Sequence, residues 1–396
     1  MEEVVDRPAD GVGNSKRSGS PKYNECIKVP RPALVFDPKS GSLPLLLLSL
    51  EESGCRVYNP DEDKVYETKS DFSGCRFLAN SGKWFLVLDE SRSDLYIVDV
   101  FSEERIHLPP LESTKGGLYN VERVGDNEFN VGYMDGFRDG FMDGDPSLHT
   151  IIYLRGLLWV DDKNGDDYVV VWQFHQGEFL GFCKKGDSHY RDIPIRVDVR
   201  REFRGLNDVV LKGYSVYYLA TRGYIRHLDL SGQDGFKDVS ELLRFPMWNK
   251  PDLPSVDFGK KVISSGDSIA VTTSGEVLLV FTRAYEPICE TSRIFRVYKR
   301  KHIQLNPKYY DTILVEVESI GDEALFYDLS ITVPANHILG IEPNSIYFTR
   351  NDRFGLDNGK SPCLDICVYN IATRNIKHFP SLFNLNLKDA QWFLPS

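Results

Sequence analysis

Along most of the chain, apolar residues come in short runs that alternate with polar ones and break at Gly, Asp, Asn, Ser or Pro. Val, Ile, Tyr and Phe fill these runs, which predicts many short half-buried strands rather than helices. The clearest case is LLWVDDKNGDDYVVVWQF, Leu157–Phe174, where Asn164-Gly165 divides two β-branched and aromatic runs. Asn-Gly accepts the positive φ angles of a tight turn, so this segment predicts a β-hairpin.

The same pattern recurs. LYIVDVFSEERIHLP, Leu95–Pro109, and ICVYNIATRNIKHFP, Ile366–Pro380, coincide through a strand, an Asp or Asn, a polar turn, a second short strand and an apolar-Pro ending. CRVYNPDEDKVY, Cys55–Tyr66, fits the frame without the final Pro, and its Asn59 precedes Asp99 by 40 positions. Degenerate traces run over Val171–Phe182 and Ile294–Lys299. Alternating strands entered from a turn recur at Trp84–Asp89, Gly213–Leu219, Ser268–Thr273 and Ser345–Thr349. A period of roughly 40–50 residues is that of a propeller blade. The prediction is an all-β chain forming a single β-propeller of four-stranded blades, seven in number within a range of six to eight. Its closure should bring residues 32–50 beside the C-terminal strands. Residues 1–30, rich in Gly, Ser, Pro, Asp and Lys, are expected to be a disordered tail, and residues 31–396 the propeller domain.

Composition narrows the partners. A formal net charge of −11 opposes binding to a nucleic-acid backbone, which rests on Lys and Arg neutralising phosphates. The basic clusters Val199-Arg200-Arg201 and Tyr298-Lys299-Arg300-Lys301 are short and read as solvated strand ends. The longest apolar run, residues 43–50, falls short of the ~20 residues that span a bilayer, so no membrane segment is expected. Seven scattered cysteines do not form a disulfide framework, and Cys363 and Cys367 lack a second ligand pair for zinc. With an acidic N-terminus, the cytoplasm or nucleus is the expected compartment.

Candidate chemistry is sparse. No GxSxG elbow, P-loop or GxGxxG occurs, and the eight histidines are dispersed over positions 107, 149, 175, 189, 227, 302, 337 and 378. His107 and His378 share one repeat position, which is a structural reason for both. His227 lies on an alternating strand and is expected to face solvent. Glu103, Glu104, Arg105 and His107 crowd together but fall on a blade turn and its edge. Asp161, Asp162, Asp166 and Asp167 at the hairpin tip lack the spacing of a calcium loop, and Asp61 and Asp63 sit on a turn with no apolar pocket to raise a pKa. The Asp-Gly-Phe series MDGFRDGFMDGDP, Met134–Pro146, reads as a protruding loop; if it binds anything, exposed Phe and Met suit a protein partner. No catalytic, cofactor-binding or metal-ligating residue and no cofactor is predicted.

Several stretches together, Arg105–Leu111 (RIHLPPL), Gly82-Lys-Trp84, Ile320–Phe326 (IGDEALF), Asn344–Thr349 (NSIYFT) and the terminal Trp392–Pro395 (WFLP), resemble the plant KIB-type β-propeller domain, also known as domain of unknown function 295 and often found behind an F-box. Gly223–Gly235 and Leu387–Ser396 resemble a branch expanded in the cabbage and cress family, some of whose members look mitochondrial. The resemblance implies a propeller and, for F-box members, substrate recognition for cullin-type ubiquitin ligases. No helical apolar period precedes residue 31, so the chain is expected to lack an F-box. The expected function is a non-catalytic, monomeric protein–protein interaction module whose partner the sequence does not identify. The alternatives are a ligase recognition subunit using another Skp-binding surface, and a propeller hydrolase or lyase with a channel-facing site.

Overall fold

The computed structural model describes residues 44–51, 54–68, 72–115, 117–133, 147–161, 167–174, 177–233, 235–241, 244–245, 262–285, 293–302, 312–350 and 364–395. The tail over 1–30, the Asp-Gly-Phe series, the hairpin tip at residues 162–166 with Asp162, Asn164, Gly165 and Asp166, and Cys363 lie outside them.

Among the described residues, seven groups of strands follow one another along the chain. The first holds β1 (Leu45–Leu50), β2 (Cys55–Asn59) and β3 (Lys64–Glu67), and the second β4 (Cys75–Ser81), β5 (Trp84–Asp89), β6 (Asp94–Asp99) and β7 (Arg105–His107). The third has three strands, β8 (Tyr119–Arg123), β9 (Glu128–Tyr133) and β10 (Ser147–Thr150). The fourth comprises β11 (Leu154–Val160), β12 (Tyr168–Phe174), β13 (Phe179–Lys184) and β14 (Arg191–Pro194). The fifth comprises β15 (Asp208–Lys212), β16 (Ser215–Leu219), β17 (Ile225–Asp229) and β18 (Lys237–Asp238). The sixth contains β19 (Val262–Val271), β20 (Val277–Tyr285), β21 (Arg293–His302) and β22 (Thr312–Glu316). The seventh contains β23 (Glu323–Phe326), β24 (Ile331–Pro334), β25 (Ser345–Phe348), β26 (Cys367–Asn370) and β27 (Ile376–His378); one parallel bridge, Val271 to Ile331, joins it to the sixth. The last strand, β28 (Leu387–Phe393), returns to the first group.

Most second and third strands are apolar on both faces because each sheet is covered on both sides. In β5, Phe85 and Val87 enter one buried cluster while Trp84, Leu86 and Leu88 enter another. Likewise Val169 and Val171 of β12 face one neighbour, Val170 and Trp172 the other. Leu278 and Val280 of β20 are divided from Leu279 and Phe281 in the same way. Six apolar clusters result, and they join the first sheet to the second, the second to the fourth, the fourth to the fifth, and onward through the sixth and seventh back to the first.

The ring closes by strand pairing. β28 runs antiparallel to β1, with Leu45 opposite Phe393 and Leu48 opposite Ala390, so the N-terminal strand is completed by the C-terminal one as the pattern predicts. Trp392 is fully buried, its ring edge-on to Tyr347 and Phe379, and its Nε1 donates to the Phe348 carbonyl at 3.2 Å.

The third group stands apart from this cycle. Val160 N donates to Ser81 Oγ at 3.0 Å, which sets β11 directly beside β4. The strands β8, β9 and β10 of the third group pack outside this contact, where Tyr119 stacks on Phe179 at 4.8 Å and Phe129 meets Phe174. A count of seven blades would need this group to be a full blade, and its described residues form three strands.

The repeated hairpins share one turn. Asn59, Asp99 and Asn370 each accept a backbone N–H through Oδ1, from Asp61, Phe101 and Thr373 at 2.9–3.0 Å. Four positions later, Asp63, Glu103 and Arg374 all have φ between 52° and 66°. The Asx side chain therefore initiates the turn and a left-handed residue ends it, without glycine. The weaker trace Val171–Phe182 joins the middle strands β12 and β13 instead of an outer pair.

A polar inner ring and a cleft between the fifth and sixth sheets

The innermost strands carry polar side chains that tie one sheet to the next. Asn80 Nδ2 of β4 donates to Gln391 Oε1 at 3.2 Å and to the Trp392 carbonyl, while Gln391 Nε2 donates to the Phe77 carbonyl. Arg350 pairs with Asp389 at 3.4 Å. Both terminal nitrogens of Arg76 donate, to the carbonyls of Ile151 and Ile152. Asp208 of β15 accepts from Ile269 N of β19 at 2.7 Å, and burial pushes its carboxyl up to about 7 against the pull of that bond. Two further buried arginines act similarly. Arg226 joins Asp238, the Pro194 carbonyl and Tyr218, and Arg293 joins Asp365 and Thr282. The inner ring is thus charged and polar, unlike a channel lined by Val, Ile and Ser, and its named groups bind neighbouring strands.

The crowded residues of the repeat are placed as hairpin parts. Asp99 is buried, capped onto Phe101 and Ser102 and paired with Lys83 at 2.8 Å. His107 and His378 end β7 and β27, opposite Tyr96 and Cys367. Asp63 accepts from Tyr58 and from Ser381 at 2.6 Å, holding its turn to the β27–β28 connection. Asp167 accepts from Tyr214, and Cys367 is fully buried.

His227 is the residue that departs from expectation. Alternation along β17 turns Arg226 and Leu228 toward the fourth sheet and His227 toward the sixth, where it is half-buried instead of solvent-facing. Its ring stacks on its cross-strand partner Tyr217, with centroids 4.1 Å apart and planes at 14°. Together these rings form one wall of a cleft of about 320 Å³. Ile225, Val239, Phe245 and Val277 supply further apolar wall, Gly275 and Glu276 come from the β19–β20 turn, and Glu241 and Arg300 complete the lining.

Arg300 reaches the cleft because it shares the face of β21 that buries Tyr298 two positions earlier. Within a cluster read from sequence as a solvated strand end, it is half-buried. Its Nη1 and the Nε2 of His227 are buried and make no hydrogen bond with the described residues. Desolvation draws the Arg300 guanidinium below its usual range, while Glu241 and Glu276 hold it up. Desolvation also lowers His227 from 6.5, opposed by Asp229 and Asp238, so its imidazole is neutral near pH 7. Glu241 and Glu276 are exposed and form the outer edge. The cleft therefore combines apolar side chains, two buried polar atoms and two exposed carboxylates in a mixed polar and apolar lining.

Comparison with known proteins gives a consistent picture. The model of the family described as KIB1-4 beta-propeller matches residues 57–370. An Arabidopsis thaliana F-box protein, At5g25290, is 44% identical over 365 residues, spanning 89% of this chain and 85% of that one. The F-box proteins KIB2 and KIB4 from the same plant are 34% and 32% identical, covering 87% and 86% of this chain and 71% and 80% of theirs.

Proposed function

Because the chain belongs to the KIB1-4 β-propeller family, we propose that it is a protein-recognition module that holds its partner at the cleft between the fifth and sixth sheets. The observation that carries this reading is the lining of that cleft: it is open, and two of its residues, Arg300 and His227, have a buried nitrogen, Nη1 and Nε2, without a hydrogen bond to the described residues. A buried donor left unsatisfied costs about 1–3 kcal/mol, which an incoming acceptor recovers on binding. The names of the relatives support the same role, since an F-box protein pairs a ligase-binding module with a surface that selects the substrate, and the propeller is suited to be that surface. A rigid ring of sheets positions turn residues without ordering them anew on binding.

The test begins with proximity labelling in plant tissue to identify the partner, followed by binding of the purified partner to the purified chain. Val239, at the mouth and 36% exposed, is replaced by Trp to block the cleft. The expected result is at least a tenfold loss of affinity, about 1.4 kcal/mol, with an unchanged unfolding midpoint. Equal affinity for wild type and Val239→Trp would overturn the reading.

A further inference from the structure

Resting on that recognition reading, we infer that the cleft receives the carboxamide side chain of a Gln or Asn from the partner. The warrant is the layering of its polar groups. Inside lie Arg300 Nη1 and His227 Nε2, both buried and without a hydrogen bond to the described residues, and outside lie the exposed Glu241 and Glu276. Arg300 only donates, the carboxylates only accept, and a neutral imidazole nitrogen does either according to its tautomer.

Three occupants can be weighed against this set. A carboxylate satisfies Arg300 but gives nothing to the outer acids, and it enters a lining whose formal charge is +1 − 2 = −1 from Arg300, Glu241 and Glu276. An ammonium satisfies the acids but meets the guanidinium with no acceptor to offer. A primary amide matches both layers without adding charge. Its carbonyl accepts from Arg300 Nη1, and its NH2 donates to His227 Nε2 or outward to a carboxylate. The methylene stem suits the apolar contacts of Phe245 and Val277. A cleft of about 320 Å³ is at the low end of the ~300–1,000 Å³ of ligand pockets and has room for an inserted side chain together with part of the backbone that carries it. The outer acids and the net charge of −11 favour basic residues flanking that side chain.

The probe is N-acetylglutamine N′-methylamide, titrated into the full chain labelled with ¹⁵N-histidine, beside its glutamate and norleucine counterparts. The His227 ring signals, identified by their loss in His227→Gln, should shift saturably with the glutamine probe in the millimolar range. The other two should bind at least about tenfold more weakly. The shift should vanish in Arg300→Met, whose remaining histidine signals report that the fold is intact. Equal or tighter binding of the glutamate probe overturns the assignment, as does the absence of a saturable shift. If the glutamine probe fails while Val239→Trp still abolishes partner binding, the carboxamide assignment falls and the recognition reading stands. Partner binding that survives Val239→Trp removes the premise and the inference together.

Discussion

Trp392→Ala should destabilise the whole ring, although only four residues follow it in the sequence. The side chain is fully buried in the cluster joining the seventh sheet to the first, edge-on to Tyr347 at 5.2 Å and Phe379 at 5.6 Å. Truncating a buried Trp costs about 3–5 kcal/mol in transfer and cavity terms. The Phe348 carbonyl also loses its bond from Nε1, worth about another 1 kcal/mol. A loss of about 4 kcal/mol or more is a large part of the ~5–15 kcal/mol that holds a typical domain folded. The assay is urea unfolding followed by far-UV circular dichroism. The midpoint should drop with the slope unchanged, because one cooperative unit has been weakened rather than a tail detached. Lys388→Ala serves as the control, since Lys388 is exposed and its pair with Glu90 is 3.8 Å long; it should move stability by less than about 0.5 kcal/mol. A cost below about 1 kcal/mol for Trp392→Ala would refute closure by β28, because burial of this size at a ring seam cannot be removed so cheaply.

Two other substitutions probe the packing and the buried charge. A Cβ added at Gly181 would stand 2.3 Å from Trp172 Cε2, and Trp172 is fully buried against Phe174, Phe179 and Tyr190; Gly181→Ala should therefore cost about 1–3 kcal/mol or more by overpacking, read as a lower unfolding midpoint. Asp208 is protonated more readily in the fold than in the unfolded chain, its carboxyl raised from 3.8 to about 7 by burial. The stability it contributes is therefore complete below about pH 4 and lost as pH rises through about 7. Asp208→Asn retains an acceptor for Ile269 N and has no such titration, so unfolding curves from pH 4 to pH 8 should diverge in its favour by up to about 4 kcal/mol. A pH-independent gap between the two proteins would contradict this.

The parts of the fold that show in the sequence are those with a local cause. Asn59, Asp99 and Asn370 begin the outer hairpins through their own side chains, so the repeat frame is visible along the chain. The left-handed residues Asp63, Glu103 and Arg374 are concealed because none is Gly. Inner strands are harder to read, since Asn80, Asp208 and Gln391 serve contacts between sheets and interrupt the apolar alternation. The third group is legible as strands, with Tyr119, Val121, Phe129 and Val131 turned inward, but nothing local says that it packs outside the cycle. The cleft is least legible of all. Alternation assigns His227 a face, yet the cover on that face comes from Glu276 and Arg300, which are distant in sequence and brought near by the packing of the sixth sheet on the fifth.

The most direct measurement of the central claim is amide hydrogen–deuterium exchange of the chain with and without its purified partner. The account predicts that protection on binding concentrates at residues 225–229, 239–241 with Phe245, 273–277 and 298–300, the segments that build the cleft, and that Val239→Trp abolishes it. Protection confined to other turns, with these four segments exchanging as in the free chain, would contradict the account.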